Sequence, residues 1–355
     1  MMRYLTAGAM VALKPLRVPV RPIHLQIEPT DNCNLNCLMC GRAEVIRHPR
    51  MMSLEEFQSI VDQVRPKKIT LSGYGEPLLN RALPQMIAYA KVHGASVNTT
   101  SNLTLVRNEE QALELVRSGL DLINASIDAA TLETYRALRG QDAFEHVLDG
   151  IRLLQRVKAQ VGSPTPHVRI SFVISKVNLH EVAAFIHLAH NLGLDVAFFQ
   201  MLLLMTIEER RERLIGGVPY DEFRHTLEAG RDLARQLGVR TNLPTLLATL
   251  PQTWRKYAPG EMDRRRCILP WFSAYITADG HMRPCCTFAP LPMNLGGSIF
   301  EEGFDAVWNS EPYREFRRAL RRGDRPTKVC QECVPETLLD IARRSPLSPG
   351  FLSDV

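Results

Sequence analysis

The chain has 355 residues, of which 45% are hydrophobic and 23% are charged. This composition excludes an intrinsically disordered protein, and the length is sufficient for more than one domain with a buried core. The net charge of +5 is the difference between 43 basic and 38 acidic residues. Such a small excess does not indicate a nucleic-acid-binding protein, so no nucleic-acid partner is expected.

The first predicted element is a short apolar stretch, residues 5–13. It is shorter than the roughly 18 residues that span a membrane, so no transmembrane segment is expected. Lys14, Arg17 and Arg21 follow where a signal peptide needs small residues at its cleavage site. We therefore predict an amphipathic helix within an N-terminal extension, residues 1–21, with peripheral membrane contact as an alternative, and we expect a cytoplasmic protein.

Short apolar runs alternate with amphipathic stretches from residue 22 to residue 205. The predicted strands are residues 23–27, 69–72, 96–100, 122–126, 168–174 and 196–201. The predicted helices are residues 54–64, 83–93, 109–118, 144–158 and 180–192. This alternation predicts parallel strands joined by right-handed crossovers. Six units are too few for a closed eight-stranded barrel, so we predict an α/β fold, a partial (β/α)6 TIM-like barrel with its chemistry at the carboxyl ends of the strands.

Residues 206–262 are predicted to form a charged helical bridge. The apolar residues that give part of one buried helix face are Phe223, Leu227, Ala234 and Leu237. The prolines that we expect to break the helical pattern are Pro244, Pro251 and Pro259.

Residues 263–340 are rich in Gly, Pro and Cys, which is typical of a small metal-stapled module. We predict a small cysteine-rich α+β module with a strand at residues 273–277 and a hairpin turn at Asp279-Gly280. Residues 341–355 are left as a C-terminal tail.

The first of two cysteine groups follows the first predicted strand. Cys33, Cys37 and Cys40 form a C-x3-C-x2-C pattern. Three thiolates are one fewer than a complete cubane cluster or a structural zinc site requires, so one iron of a cluster would remain open to a ligand. A zinc loop that borrows a fourth ligand, or three unrelated buried thiols, are the alternatives.

This pattern, after the first strand of a six-unit barrel, resembles the radical S-adenosylmethionine superfamily. The resemblance implies a [4Fe–4S] cluster on Cys33, Cys37 and Cys40 whose open iron chelates S-adenosylmethionine. It also places Met39 near the adenine of that cofactor.

Further segments resemble the same superfamily at the ends of successive strands. Gly73-Tyr74-Gly75-Glu76-Pro77 is similar to its Gly-Gly-Glu-Pro segment, with Tyr74 in place of a glycine. The other segments with such a resemblance are Thr100-Ser101-Asn102, Ser126-Ile127-Asp128, Arg139-Gly140 and Asn178. The resemblance implies that Gly73, Tyr74, Gly75, Glu76, Ser101, Asn102, Ser126, Asp128 and Arg139 contact S-adenosylmethionine. Each segment is also an ordinary turn composition when it is taken alone.

The second cysteine group consists of Cys267, Cys285, Cys330 and Cys333. Four thiolates can hold either zinc or an iron–sulfur cluster. The stretch around them resembles the SPASM extension in its shortened, one-cluster twitch form, with the cysteine spacing of aminocyclitol dehydrogenases. The resemblance therefore implies an auxiliary [4Fe–4S] cluster and two clusters in all.

Cys286 is left over beside Cys285. It is interpreted first as a buried small side chain next to a ligand. It could also replace Cys285 as the ligand, or act catalytically by giving a hydrogen atom to a substrate radical.

The resemblance implies an oxidoreductase that cleaves S-adenosylmethionine to a 5′-deoxyadenosyl radical, abstracts a substrate hydrogen and oxidises the substrate radical through the auxiliary cluster. The expected substrate is a small polar metabolite such as a sugar, aminocyclitol or nucleoside, and the expected electron donor is a flavodoxin or ferredoxin. A radical epimerase, an eliminase or a peptide-modifying maturase is the alternative. A zinc-binding interaction protein is the remote one.

Overall fold

The computed structural model describes residues 2–46, 48–202, 217–254, 266–286, 295–327, 330, 331, 333 and 335. Its strands are β1 (His24–Ile27), β2 (Lys68–Leu71), β3 (Ser96–Ser101), β4 (Leu122–Ser126), β5 (His167–Ile174), β6 (Val196–Met201), β7 (Arg240–Thr241), β8 (Ser273–Ile276) and β9 (Met282–Arg283). Its helices are α1 (Met2–Leu13), α2 (Arg42–Val45), α3 (Leu54–Val64), α4 (Leu83–Val92), α5 (Glu109–Arg117), α6 (Leu132–Arg139), α7 (Phe144–Gln160), α8 (Val182–Asn191), α9 (Tyr220–Leu237), α10 (Leu243–Trp254), α11 (Ile299–Glu302), α12 (Phe304–Trp308) and α13 (Glu311–Arg322).

The strands form one sheet in the order β7-β6-β5-β4-β3-β2-β1-β8-β9. All neighbours are parallel except β8 and β9, which form an antiparallel hairpin. The six strands predicted from the sequence are therefore consecutive in the sheet, and the predicted partial α/β barrel is confirmed. Their carboxyl ends lie at one edge, where parallel α/β folds place their chemistry.

Local sequence accounts for the helices that cover this sheet. The side chain of Ser53 accepts a hydrogen bond from the Glu56 N–H, and the Glu56 carboxylate accepts one from the Ser53 N–H. This is the predicted capping box at the start of α3. On α7, Phe144, Val147 and Ile151 are buried, as their helical spacing predicts.

The described part of the segment predicted as a helical bridge packs onto the barrel. Helix α9 packs against α8 and α10, and β7 extends the sheet beside β6. Pro244 lies in the first turn of α10, where a missing N–H costs little. The helix continues through Pro251, so the break predicted there is wrong, and Pro259 lies outside the described residues.

The β8–β9 hairpin joins the cysteine-rich module to the barrel. Strand β8 pairs with β1 in register from His24 and Ser273 to Ile27 and Ile276. Gly280 lies in the hairpin turn with a φ of +82°, a conformation that glycine adopts readily. The predicted turn is therefore observed, and the hairpin adds two strands to the barrel sheet.

The N-terminal helix α1 forms as the sequence predicts. Ala7 and Val11 are buried, whereas Met2, Leu5 and Leu13 are exposed. None of the helices in the described ranges combines the length and apolar character that crossing a membrane requires.

Candidate active site

The first cysteine group lies in the loop that leaves β1. The Cys33 backbone N–H donates to Asn32 Oδ1 at 3.0 Å, and the Cys40 N–H donates to the Cys37 carbonyl at 3.1 Å. The pKa of Cys33 is raised to about 11, mainly by burial, and Glu76, Cys37 and Cys40 contribute to this rise. Within this one loop Cys37 is buried, and Cys33 and Cys40 are partly buried.

The middle of this loop is fixed to the end of β3. Asn34 Oδ1 accepts from Asn102 Nδ2 at 3.0 Å, and Asn34 Nδ2 donates to Thr104 Oγ1 at 2.8 Å. Asn102 Oδ1 in turn accepts from the Thr104 hydroxyl at 2.8 Å. The observed role of Asn102 is thus to hold the cysteine loop in place.

The glycine-rich turn after β2 packs tightly against the end of β1. A Cβ atom on Gly73 would lie 2.2 Å from Glu28 Oε1, and one on Gly75 would lie 2.0 Å from the Thr30 carbonyl oxygen. Only glycine allows backbones and side chains to come this close. Both glycines therefore set the position of the loop that carries the cysteines.

Glu76 is a buried hydrogen-bonding centre for three of the predicted segments. Its carboxylate accepts from Ser101 Oγ at 2.6 Å and from the Asn102 N–H at 2.7 Å. Its own N–H donates to the Asn32 carbonyl at 2.8 Å. Burial raises the Glu76 pKa, and these donors oppose that rise by stabilising the charged form. Glu76 therefore links the ends of β2 and β3 to the cysteine loop.

Arg139 connects the cysteine loop to the end of β4. Its guanidinium pairs with Asp128 at 2.5 Å and donates to Cys37 Sγ at 3.6 Å. Both side chains of the pair are buried, and Asp128 has a φ of +62°. Burial raises the Asp128 pKa, whereas Arg139 lowers it. This pair places a buried positive charge beside one cysteine of the group.

The remaining predicted segments lie near the same edge of the sheet. Ser126 is partly exposed at the end of β4, and Asn178 donates to the Asp128 carbonyl at 2.8 Å. Met39 packs in a small apolar cluster with the buried residues Leu138 and Leu202. An apolar surface of this kind is suited to a nucleobase face.

Sequence reasoning missed Glu28, a buried carboxylate directly after β1. Its Oε1 accepts from the Tyr74 N–H at 2.6 Å. Burial raises its pKa to about 7, and Asp31 raises it further, while donors including Tyr74 and Tyr275 lower it. Its position in the sequence could have indicated this role. Side chains alternate along a strand, so Glu28 lies on the same face of β1 as Gln26, which is the face that points inward.

Polar side chains line the inner face of the barrel below the cysteine loop. His24 hydrogen-bonds Ser273 and Thr70, at 2.9 and 3.1 Å. Asn124 donates to Ser171 at 3.1 Å and accepts from Arg169 at 2.9 Å. The interior can therefore offer neutral donors and acceptors and a guanidinium to a polar ligand.

All four cysteines of the second group are within the described residues: Cys330 is buried, and Cys267, Cys285 and Cys333 are partly buried. The pKa of Cys267 is raised to about 12, mainly by burial, with Cys333 and Cys330 contributing and Arg325 opposing. Burial raises the pKa of Tyr313 on α13, and Cys285 and Cys267 add to that rise. Cys286 is exposed, so the expectation that it is a buried side chain is wrong.

Both cysteine groups have the donor chemistry of iron–sulfur ligands. Within the described ranges, no three His, Cys, Asp or Glu side chains lie close enough to share one metal ion. A cubane does not need that closeness, because each thiolate binds a different iron. Tyr135 and Tyr313 carry buried hydroxyls on the helix faces of Arg139 and Arg317, and neither hydroxyl has a hydrogen-bond partner in the described chain. These residues fit a sulfur-rich group at each position.

Comparison with known proteins gives two family matches. The radical SAM superfamily model matches residues 27–189, and the model of SPASM, an iron–sulfur cluster-binding domain, matches residues 267–334. A GTP 3′,8-cyclase of Desulforamulus reducens is 27% identical over 278 residues, which are 74% of this chain and 80% of the relative.

Solved structures share the architecture. Streptococcus suis SuiB bound to its precursor peptide SuiA has a TM-score of 0.68 at 15% identity, covering 98% of this chain and 78% of SuiB. The structure of anSMEcpe with AdoMet and the Cp18Cys peptide has a TM-score of 0.63 at 18% identity, covering 84% and 83%.

The two family matches lie where the structure places the two cysteine groups, one after β1 and one around the β8–β9 hairpin. A zinc-binding interaction protein would not give a match to the barrel family. The chain belongs to the radical S-adenosylmethionine superfamily and is an iron–sulfur enzyme of that family with a C-terminal SPASM domain.

Proposed function

We propose that this enzyme oxidises a small polar metabolite through a substrate radical. In this proposal Cys33, Cys37 and Cys40 hold a [4Fe–4S] cluster that, when bound and reduced, supplies the electron for splitting S-adenosylmethionine into methionine and a 5′-deoxyadenosyl radical. Cys267, Cys285, Cys330 and Cys333 hold an auxiliary [4Fe–4S] cluster. A flavodoxin or ferredoxin is the proposed external electron donor.

The pairing of β8 with β1 is the observation that carries this proposal. The first cysteine group follows β1, and Cys285 lies two residues after β9, the partner of β8. The first group and Cys285 are therefore attached to β1 and β9 of one sheet, with β8 between them. Such a rigid connection suits an electron transfer from a substrate in the barrel to a second redox centre.

The strand ends supply the proposed contacts to S-adenosylmethionine. Gly73, Tyr74 and Gly75 offer backbone groups at the end of β2, while Ser126 and Asp128 lie at the end of β4. Glu76, Ser101 and Asn102 hold these segments against the cysteine loop through their hydrogen bonds. Arg139 offsets negative charge at Cys37, because its guanidinium already donates to that sulfur.

The inner face of the barrel supports a small polar substrate. His24, Thr70, Asn124, Ser171 and Arg169 can hydrogen-bond hydroxyl, amine or phosphate groups. The GTP 3′,8-cyclase relative, whose name specifies a nucleotide, supports the same chemical class.

A peptide-modifying maturase is the second candidate, because the SuiB and anSMEcpe structures were solved with peptides. Incubation with sugars, aminocyclitols, nucleosides and peptides would separate the two candidates. The class that stimulates 5′-deoxyadenosine formation and yields a product lighter by two hydrogen atoms identifies the substrate. Stimulation by peptides alone would replace the metabolite proposal.

Cysteine variants test the radical chemistry itself. Cys33→Ala, Cys37→Ala and Cys40→Ala should each abolish 5′-deoxyadenosine formation, because all three thiolates are needed to hold the cluster. Cys286→Ala is the matched control, since this exposed thiol lies outside the proposed ligand set. Mass spectrometry of anaerobic reactions makes the measurement, and normal cleavage in any of the three variants would contradict the assignment.

A further inference from the structure

Two buried helices repeat one pattern, a tyrosine followed four residues later by an arginine. Helix α6 carries Tyr135 and Arg139, and helix α13 carries Tyr313 and Arg317. All four residues are buried, each at most 8% exposed. Residues four apart lie on one helix face, so each helix directs a phenol and a guanidinium to the same side.

The first pair faces the cysteine loop. Arg139 donates to Cys37 Sγ at 3.6 Å and pairs with Asp128. The pKa of Tyr135 is raised to about 12, mainly by burial, and Cys37, Asp128 and Glu76 add to this effect while Arg139 opposes it. Tyr135 lies on the same helix face as Arg139, whose guanidinium reaches Cys37, and its buried hydroxyl has no hydrogen-bond partner among the described residues.

The second pair faces the auxiliary cysteines. The Tyr313 hydroxyl is buried without a hydrogen-bond partner in the part of the chain that the structure describes. On the same helix face, Arg317 donates to the Pro270 carbonyl at 2.9 Å, in the short segment that follows Cys267. Cys285 and Cys267 also contribute to the raised pKa of Tyr313, after burial. The Arg317 guanidinium lies 4.5 Å from the Tyr313 ring and 4.3 Å from the Trp308 ring. A second polar cluster therefore lies beside the second cysteine group.

Arg317 is a buried cation held by carbonyl oxygens. It donates to the Pro270 and Trp308 carbonyls, each at 2.9 Å, while its Nη2 has no acceptor among the described residues. The ion pairs of the described chain include none that gives Arg317 a carboxylate. A buried cation held in this way is suited to a neighbouring group with net negative charge, such as a cluster with four thiolates.

Orphaned donors of this kind are costly. A buried polar hydrogen without an acceptor costs about 1–3 kcal/mol, so native proteins leave few of them. Each of these two hydroxyls needs an acceptor, and the same kind of acceptor should be present at both sites. Cluster sulfur is such an acceptor.

We propose that Tyr135 and Tyr313 donate hydrogen bonds to sulfur atoms of the two iron–sulfur clusters, one to each, and thereby raise the reduction potentials of those clusters. This inference rests on the two clusters of the proposed function. Reduction adds negative charge to a cluster, so a donor to its sulfur stabilises the reduced form more than the oxidised form. Arg139 and Arg317 position the phenols and add positive charge on the same side.

Single tyrosine variants of the reconstituted enzyme test this inference without a substrate. Redox titrations followed by electron paramagnetic resonance would compare wild type, Tyr135→Phe and Tyr313→Phe. Each variant should make its own cluster about tenfold harder to reduce, which is about 59 mV lower for one electron, and leave the other cluster unchanged. Tyr89→Phe is the matched control, because the hydroxyl of Tyr89 on α4 donates to Asp62 on α3 at the protein surface.

The outcomes separate this inference from the proposed function. Unchanged potentials in both phenylalanine variants, with iron content intact, would overturn it and would indicate that water satisfies the hydroxyls. If a phenylalanine variant fails to assemble its cluster, replacement of that tyrosine by 3,5-difluorotyrosine keeps the ring and strengthens the donor. The reduction potential of the adjacent cluster should then rise above the wild-type value, and an unchanged potential would overturn the inference. Zinc in the second site would instead end the auxiliary-cluster proposal and the Tyr313 assignment, leaving Tyr135 to be tested by its own variant.

Discussion

Gly75 shows how one residue without a side chain can determine the shape of a cofactor loop. A Cβ atom there would lie 2.0 Å from the Thr30 carbonyl oxygen and 2.6 Å from that of Asn32. Both are backbone atoms, so Gly75→Ala must displace the loop just before Cys33. We expect this variant to lose the first cluster, about four of eight irons per chain after anaerobic reconstitution.

Gly8→Ala is the matched control for this prediction. Gly8 lies inside α1, and a Cβ atom there would meet nothing within 4 Å. Alanine in a helix interior is favoured over glycine, so this variant should retain both clusters and lose no stability. Iron and acid-labile sulfide analysis makes the comparison. Full iron content in Gly75→Ala would show that the loop can move without losing its ligands.

Glu28 gives the enzyme a pH-dependent contribution to folding. Its pKa rises from an ordinary value of 4.5 to about 7 because burial penalises the charged form. Between these values the folded chain keeps a proton that the unfolded chain loses, so stability falls as the pH rises across this window. The full contribution is about 3 kcal/mol, at 1.36 kcal/mol per pKa unit.

Glu28→Gln tests this pH dependence. The amide cannot ionise but keeps an oxygen that can accept from the Tyr74 N–H. Urea unfolding at several pH values should show a smaller fall in stability for the variant than for wild type. Asp31, Tyr275 and Arg283 also interact with Glu28 and are unchanged in the variant. Parallel pH curves for the two proteins would contradict the assignment.

The sequence predicted more about the chemistry of the site than about its geometry. The cysteine spacing and the turn residues after the strands are local patterns, and they indicated which segments meet. The Arg139 contact with Cys37 and Asp128 joins residues that are far apart in the chain, so no local pattern contains it. Glu28 and Tyr135 were missed because a single buried polar residue has no periodicity of its own.

At the scale of single elements, the capping box of α3 is predicted from the sequence and is observed in the structure. Ser53→Ala removes the side-chain acceptor for the Glu56 N–H, which should lower the free energy of unfolding by about 1 kcal/mol. Ser59→Ala, in the middle of the same helix, is the control, because the Ser59 hydroxyl accepts from the Gln63 side chain and lies away from the helix end. Urea unfolding should show a clear loss for Ser53→Ala and little change for Ser59→Ala. Equal losses would mean that α3 does not depend on its cap.

The elements that sequence analysis missed are short or depend on tertiary contacts. Helix α6 has only eight residues, and its buried positions include Tyr135 and Arg139, which do not form an apolar stripe. Strand β7 has two residues, and it forms because it can pair with the otherwise unpaired edge of β6. Pro251 was expected to end a helix, but propensity is a weak guide where a helix is supported by packing, as α10 is by α9.

At the scale of the whole molecule, the two proposed clusters are held by different parts of the chain. We therefore predict that a variant can lose substrate oxidation and still form 5′-deoxyadenosine. Cys330→Ala with Cys333→Ala removes half of the proposed auxiliary ligands and leaves the loop after β1 intact. With a substrate of the class identified above, 5′-deoxyadenosine should still form, because that step needs only the first cluster. The oxidised product should fall sharply, because the substrate radical has lost its electron acceptor.

The control for this double variant must address folding, since a structural metal can stabilise a small module outright. Strand β8 lies in the barrel sheet through its four paired positions with β1, so we expect the hairpin to remain ordered without the auxiliary cluster. Circular dichroism and an iron content near four per chain would establish that the barrel and its first cluster persist. If product formation is then undiminished, the second cluster supports the fold without accepting the electron. In that case an epimerase or eliminase becomes the better assignment. An electron-accepting enzyme should tolerate Cys286→Ala. Loss of turnover in this variant would show that the exposed thiol supplies a hydrogen atom to the substrate radical.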